Sequence, residues 1–177
     1  MTAAEATQQQ LAVIAEVAGL ADNVGAELWL GGGWAMEFFL GAITRTHEDI
    51  DMFTLDAQML RLDETLRARG YQPTGPAPLD QQRDYLKNGL DVTVAPVRLG
   101  ENGAPLVAGG SFVGEPWPAE MLRDAGWGEI NGVRVRYIAP SAQIEIKEMT
   151  PVWIPGRPRR QKDADDIAAI RQALRRQ

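Results

Sequence analysis

Residues 28–37, LWLGGGWAME, and residues 44–51, TRTHEDID, decide the fold of this chain. The apolar start of the first stretch predicts a short strand, which the three glycines at 31–33 end abruptly. Residues 34–40 predict a short helix. Residues 48–53 alternate acidic and apolar side chains, the period of two that is typical of a strand. A strand, a glycine turn, a helix and a second strand therefore follow one another.

The rest of the chain continues this alternation of helices and strands. Residues 1–140 are predicted to form one domain, and residues 141–177 a C-terminal helical extension packed on it. The predicted fold class is α/β (α+β), a mixed β-sheet flanked by helices, and the G-x-G-x-x-G spacing of a Rossmann fold is absent. The further predicted helices are 3–20, 56–69, 141–149 and 162–174, and the further predicted strands are 90–97 and 133–138.

Three aspartates in predicted strands are the strongest chemical signal. Asp49 and Asp51 are two apart, so they share one face of a strand while Ile50 points into the core. Two carboxylates about 4 Å apart repel by on the order of 4 kcal/mol at an effective dielectric near 20, and a divalent cation is the natural counter-charge. Asp91 lies in a second strand. If the two strands are neighbours, the three carboxylates converge and suit two Mg²⁺ ions across a polyphosphate.

The glycine turn is the candidate site for phosphate groups. The backbone N–H groups of Gly32, Gly33 and the helix start are placed to bind the β- and γ-phosphates of a nucleoside triphosphate. Arg45, just before the acidic strand, is a candidate for a bidentate phosphate contact, and its alternative is a surface ion pair with Glu48. Lys162 is a further candidate contact to the donor nucleotide.

Composition limits the remaining classes. With no cysteine and a single histidine, His47, a metal site must be built from carboxylates, which favours hard ions such as Mg²⁺. Residues 1–133 carry 8 Lys/Arg and 19 Asp/Glu, whereas residues 134–177 carry 10 and 5. The acidic body disfavours DNA and favours a cationic small molecule, with Glu37 as a candidate contact. No membrane span and no secretory signal are recognisable, so a cytoplasmic location is expected.

The two quoted stretches resemble the aminoglycoside nucleotidyltransferases, and more broadly the polymerase-beta-like nucleotidyltransferase superfamily. The similarity is greatest to the 2''-adenylyltransferases, with lincosamide nucleotidyltransferases as near relatives. The resemblance implies that Gly32 and Gly33 bind donor phosphates and that Asp49 and Asp51 bind Mg²⁺. It further implies that Asp91 shares the catalytic metal and acts as the base toward the acceptor hydroxyl.

Two lysines gain support from the same resemblance. Lys147 lies on the helix after Pro140, where related enzymes often place a lysine that binds the triphosphate; pairing with Glu145 or Glu148 is the alternative. Lys162 opens a segment similar to the K-D-x-x-D-[IL] helix start of several of these enzymes.

The sequence therefore predicts a Mg²⁺-dependent enzyme that transfers AMP from ATP to a hydroxyl of a small molecule, with an aminoglycoside-type antibiotic as the first choice and antibiotic resistance as its role. One alternative is a minimal nucleotidyltransferase of a toxin–antitoxin pair that modifies a protein or tRNA. The other is a non-catalytic nucleotide-binding module. The intact aspartates speak against the module, and the acidic surface speaks against tRNA.

Overall fold

A computed structural model describes residues 2–177. It contains five α-helices and eight strands among these residues. The helices are α1 Ala3–Asn23, α2 Gly32–Leu40, α3 Asp56–Ala68, α4 Pro140–Trp153 and α5 Gln161–Leu174. The strands are β1 Leu28–Leu30, β2 Asp49–Leu55, β3 Gln72–Pro73, β4 Arg83–Lys87, β5 Leu90–Leu99, β6 Pro105–Val107, β7 Gly126–Ile130 and β8 Val133–Tyr137.

All eight strands form one mixed sheet in the order β3-β4-β5-β2-β1-β8-β7, with β6 paired to β5. β2 runs parallel to β5, and β1 runs parallel to β8, whereas the other neighbours are antiparallel. The predicted mixed sheet flanked by helices is therefore confirmed. The order places β2 between β1 and β5, which brings the strand after the glycine turn beside the strand that carries Asp91.

The core explains why the apolar positions form these elements. Ile50 and Met52 of β2 and Val92 and Val94 of β5 are almost fully buried, so every second residue of both strands points into the core. α1 contributes a buried stripe at helical spacing, and it begins with a capping box between Thr2 and Glu5. The alternate residues of β2 and β5 face the other side of the sheet, where the aspartates lie.

Three local predictions differ from the structure. The strands β3 and β4 were not expected, because they are short and carry polar residues between turns. α4 continues past Met149 to Trp153 with Pro151 inside it; a proline in the last turn removes one backbone bond without ending the helix there. Leu60 was expected in the core of α3 but is 56% exposed.

No helix within residues 2–177 is long and apolar enough to cross a membrane. α4 and α5 contact each other, and both also contact α2. The division of the chain into residues 1–140 and a helical extension stays a prediction.

Candidate active site

The strand register brings the predicted carboxylates together. In the parallel pair of β2 and β5, Asp49 lies directly beside Asp91, and Asp51 lies beside Thr93. Partners in a register share one face of the sheet, so the three aspartates point to the same side. Asp49 and Asp91 are exposed and Asp51 is partly buried. The sheet thus holds three acidic side chains at the start of two neighbouring parallel strands.

A fourth carboxylate on this face was missed by the sequence analysis. Asp84 of β4 is the register partner of Thr93, one strand beyond Asp91. Its Oδ1 accepts a hydrogen bond from the Thr93 hydroxyl at 2.9 Å and one from Gln82 at 3.1 Å. Both donors are neutral, and the Asp84 side chain is exposed to solvent. The Asp84–Tyr85 alternation was a usable signal, but without the strand β4 nothing assigned it to this face.

The oxygen donors of this face fit a hard divalent cation. Burial and, to a lesser extent, the neighbouring charge of Asp49 together raise the pKa of Asp51 to about 6. A carboxylate held in this way is a group that a cation would stabilise. Within residues 2–177, no group of three or more His, Cys, Asp or Glu side chains is already arranged to hold a metal ion. Asp49, Asp51 and Asp91 would have to turn toward a shared ion, which the solvent-facing side chains of Asp49 and Asp91 permit.

The glycine turn closes tightly over the aspartates. α2 begins at Gly32, which has a φ of +55°, the left-handed region that favours glycine. A Cβ atom on Gly32 would collide with the Asp51 carboxylate, and a Cβ on Gly33 would collide with the imidazole of His47. The first N–H groups of a helix have no acceptor within the helix. The N–H groups at the start of α2 thus lie next to Asp51, in the place where the sequence analysis predicted bound phosphate.

Glu37 does not have the expected place. Its side chain is fully buried, so it is not available to a cationic acceptor. Its oxygens accept hydrogen bonds from the backbone N–H and hydroxyl of Thr44, from the N–H of Arg45 and from Nε2 of His47 at 2.9 Å. The prediction of a substrate contact at Glu37 is corrected accordingly: the residue shapes the loop between α2 and β2. Within residues 44–51, three residues therefore bond to Glu37 of α2: Thr44, Arg45 and His47.

His47 is packed in the interior. Its side chain is 3% exposed, and its ring lies against Trp34 with 4.9 Å between ring centroids and the ring planes tilted by 37°. Its Nδ1 lies 3.0 Å from Nη1 of Arg45, which can only donate, so Nδ1 accepts and Nε2 donates to Glu37.

Arg45 does not pair with Glu48. Its guanidinium forms a bidentate ion pair with Asp166 of α5, at 2.9 and 2.7 Å. A third donor bonds the carbonyl of Thr46 at 2.9 Å. Arg45 thus links the loop before β2 to α5, and the nucleotide contact predicted at Arg45 stays a prediction.

Lys147 and Asp166 form the next part of this network. The Lys147 ammonium is 2.9 Å from Asp166, rather than paired with the predicted glutamates, and 3.8 Å from Asp163. Burial would raise the pKa of Asp166, but hydrogen bonds from Arg45 and Lys147 outweigh burial and hold that pKa below its usual value. Lys147 also acts on Asp51, where its charge favours the ionised carboxylate.

Asp49, Asp51, Asp84 and Asp91 together form one acidic face of the sheet. Two cations of the C-terminal segment lie at the rim of this acidic face. Lys162, which is partly exposed, pairs with the exposed Glu48 at 3.0 Å. Arg160 forms a bidentate pair with Asp163 at 2.8 and 3.0 Å, and this pairing, together with the charge of Asp49, raises the pKa of Arg160. The sequence analysis named Lys162 but not Arg160, although the run of basic residues before α5 was a visible signal.

Two surface cavities, of about 290 and 430 Å³, lie at the opposite end of β1 and β2. Glu27, Trp127 and Arg136 line both of them, and none of the carboxylates described above does. They belong to another part of the surface, so the acidic face is the site to interpret.

Comparisons with known proteins agree with this geometry. A family model described as aminoglycoside-2''-adenylyltransferase matches residues 13–170. A curated 2''-aminoglycoside nucleotidyltransferase of Klebsiella pneumoniae is 44% identical over 43 residues, which are 24% of each chain. A protein of the same name from Escherichia coli gives the same values. The aligned stretch thus spans about a quarter of the length of these curated relatives.

Solved structures extend the likeness over the whole fold. The crystal structure of ANT(2'')-Ia in complex with adenylyl-2''-tobramycin matches with a TM-score of 0.75 and 23% identity, over 94% of this chain and 90% of that one. A lincosamide antibiotic adenylyltransferase, LnuA, in its lincomycin-bound crystal structure, matches with a TM-score of 0.67 and 17% identity, over 88% and 92%. At these identities the likeness shows a common fold.

Proposed function

The chain belongs to the aminoglycoside-2''-adenylyltransferase family, and from this membership we propose that it transfers AMP from ATP to a hydroxyl group of an aminoglycoside-type antibiotic. The observation that carries the proposal is the register of β2 and β5, with Asp49 beside Asp91 and Asp51 on the same face. The glycine turn at the start of α2 supplies backbone donors next to this face.

The proposed reaction balances with the groups of this face. The acceptor hydroxyl oxygen attacks the α-phosphorus of ATP, the bond from that phosphorus to the bridging oxygen breaks, and pyrophosphate leaves. The hydroxyl proton passes to the carboxylate of Asp91, which acts as the base. Asp49, Asp51 and Asp91 would hold Mg²⁺, which when bound neutralises the polyphosphate and acidifies the hydroxyl. The amides of Gly32 and Gly33 and the ammonium groups of Lys147 and Lys162 bind and orient the triphosphate.

The acceptor is proposed to lie over β5 and β4, on the far side of Asp91 from Asp49. Asp84 faces this area with only neutral hydrogen-bond partners, so it suits a protonated amine of the acceptor. Aminoglycosides carry several such amines. Asp84 thereby takes the acceptor-binding role for which Glu37 is too deeply buried.

The direct test is pyrophosphate release from ATP and Mg²⁺ with a panel of aminoglycosides and lincosamides. We expect turnover with at least one aminoglycoside. Asp91→Ala should reduce kcat by roughly 100- to 10,000-fold, the range for loss of a general base, and should largely keep Mg²⁺–ATP binding measured by calorimetry. Asp49→Ala and Asp51→Ala should lose turnover and also weaken Mg²⁺–ATP binding.

The control is Asp22→Ala, which alters an exposed aspartate on α1 away from the acidic face. It should leave both measurements unchanged. Absence of pyrophosphate release with every acceptor would remove the antibiotic substrate, and wild-type turnover by Asp91→Ala would remove the assigned base. A labelled macromolecule after incubation of a lysate with radioactive ATP would favour the toxin–antitoxin alternative instead.

A further inference from the structure

A continuous row of polar contacts runs from the interior of α2 to the nucleotide side of the acidic face. It joins Glu37 to His47, His47 to Arg45, Arg45 to Asp166 and Asp166 to Lys147, with every link between 2.7 and 3.0 Å. The row crosses α2, the loop before β2, α5 and α4. Asp166 is the junction, since it is the one member that bonds two cations.

Stability is not the only reason to bury Asp166. Its side chain is 2% exposed and binds Arg45 with both oxygens. Removing a carboxylate from water is costly, and a buried ion pair often contributes no more than apolar side chains would. What such a pair does supply is direction, because a bidentate geometry fixes the plane of both partners.

Lys147 is the member whose position bears on the chemistry. Its side chain is 10% exposed, and its helix, α4, packs on α2, which begins at Gly32 beside Asp51. An ammonium has three donors, and the hydrogen bond to Asp166 at 2.9 Å uses one of them. The other donors remain for oxygen atoms of a bound triphosphate. A free lysine side chain would lose rotamer entropy to reach the same place.

We propose that Asp166 is a positioning residue for the nucleotide: it holds the Lys147 ammonium beside the acidic face, while its bidentate pair with Arg45 fixes α5 to the loop that leads into β2. The inference rests on the proposed function, because it assigns Lys147 to the triphosphate. Asp166 does not touch the nucleotide itself. Its effect therefore reaches the site only through Lys147.

The test compares Asp166→Asn with wild type in calorimetric Mg²⁺–ATP binding without acceptor and in steady-state turnover. An asparagine removes the negative charge and replaces one acceptor oxygen with an N–H₂ donor. The ammonium of Lys147 is then no longer held in place by an ion pair. We expect Kd and KM for Mg²⁺–ATP to rise roughly 10- to 100-fold, the range for loss of a charge-assisted contact. KM for the acceptor should stay within about twofold, because Asp166 has no part in acceptor binding.

Asp63→Asn is the matched control. Asp63 is an equally buried aspartate that binds Tyr85 at 2.7 Å and Arg83 at 3.2 Å, on α3. Its replacement should lower the urea midpoint as Asp166→Asn does but leave nucleotide binding unchanged. In the double variant Asp166→Asn/Lys147→Met, the rise in Kd for Mg²⁺–ATP should equal that of Lys147→Met alone, because both changes remove the same contact between Lys147 and the triphosphate.

Several results would overturn the inference. Nucleotide affinity within about twofold of wild type in Asp166→Asn would do so, as would equal rises in both KM values or additive effects in the double variant. If Asp166→Asn does not fold, Asp166→Glu keeps the charge and moves the carboxylate by one methylene, and unchanged nucleotide affinity there is equally contrary. If the wild-type protein binds Mg²⁺–ATP but modifies no antibiotic, the proposed acceptor is refuted and this inference is unaffected.

Discussion

At the residue scale, Asp51 shows how a functional position lowers the stability of the empty protein. Burial and the charge of Asp49 raise its pKa to about 6, against about 3.9 in an unfolded chain. The folded state therefore binds a proton more tightly than the unfolded state. The stability that follows is complete below the unfolded pKa and is lost as pH rises through about 6. At neutral pH the ionised side chain opposes folding until a cation binds.

Asp51→Asn should consequently stabilise the metal-free protein while it removes function. A shift of about 2 pKa units corresponds to about 3 kcal/mol at most, and solvent access reduces the expected gain to roughly 1–2 kcal/mol. Urea denaturation should show this gain near about pH 8 and almost none near about pH 3.5, below the unfolded pKa, where Asp51 is largely protonated in both states. Mg²⁺ should no longer raise the midpoint. Asp22→Asn is the control without a pH-dependent effect, and a gain of equal size at both pH values would contradict the assignment to Asp51.

At the element scale, the start of α2 depends on the absence of side chains at the glycine turn. Gly33 lies against His47, which ties the following loop to Glu37 of α2, and against Arg45, which ties it to α5. A Cβ there would push the imidazole and the guanidinium away from the helix. Because these groups are part of the row of polar contacts, the displacement would spread along the loop to Asp49, the first residue of β2.

Gly33→Ala should therefore destabilise the fold by about 1–3 kcal/mol, the usual cost of overpacking, and should weaken Mg²⁺–ATP binding. Gly19→Ala is the matched control, since Gly19 is an exposed position within α1 with open space around it. That change should stabilise the helix by up to about 1 kcal/mol. Urea denaturation and calorimetry separate the two effects. A neutral or stabilising Gly33→Ala would show that the turn has room that its present contacts do not suggest.

At the scale of the whole molecule, charge is divided between an acidic body and a basic C-terminal segment. The four carboxylates of the acidic face belong to the first, and Lys147, Arg160 and Lys162 belong to the second. The C-terminal cations pair with acids on α5 and before β2, so they border the acidic face rather than cover it. Under the proposed function, the site thus offers negative charge to the acceptor and positive charge to the triphosphate.

The KM for a polycationic aminoglycoside should therefore rise with ionic strength. Between about 0.05 and about 0.5 M salt we expect a rise of roughly 3- to 10-fold, because screening weakens attraction between exposed charges. Asp84→Asn should raise KM at low salt and flatten this dependence, with kcat for bound acceptor little changed. Asp22→Asn, of the same charge change at a distant surface, should behave as wild type. Parallel salt curves for Asp84→Asn and wild type would exclude Asp84 from acceptor binding.

The sequence by itself determined the order of elements, the acidic face of β2 and the glycine turn. These features are local: alternation fixes which side of a strand a residue faces, and glycines mark where a chain must turn. Asp49 and Asp51 could be assigned to one face without any knowledge of the rest of the molecule. That Asp91 lies near Asp49 and Asp51 could be predicted only on the condition that its strand is a neighbour of β2.

Tertiary structure alone decided which charges meet. Arg45 pairs with Asp166, 121 residues away, and no local pattern distinguishes that partner from the nearby Glu48. Glu37 is an acidic residue among apolar neighbours in the sequence, and the loop folds over it and buries it completely. Asp84 joins the acidic face only because β4 pairs with β5. The partner and the burial of a charged side chain depend on contacts between distant segments, and those contacts exist only when the whole sheet has formed.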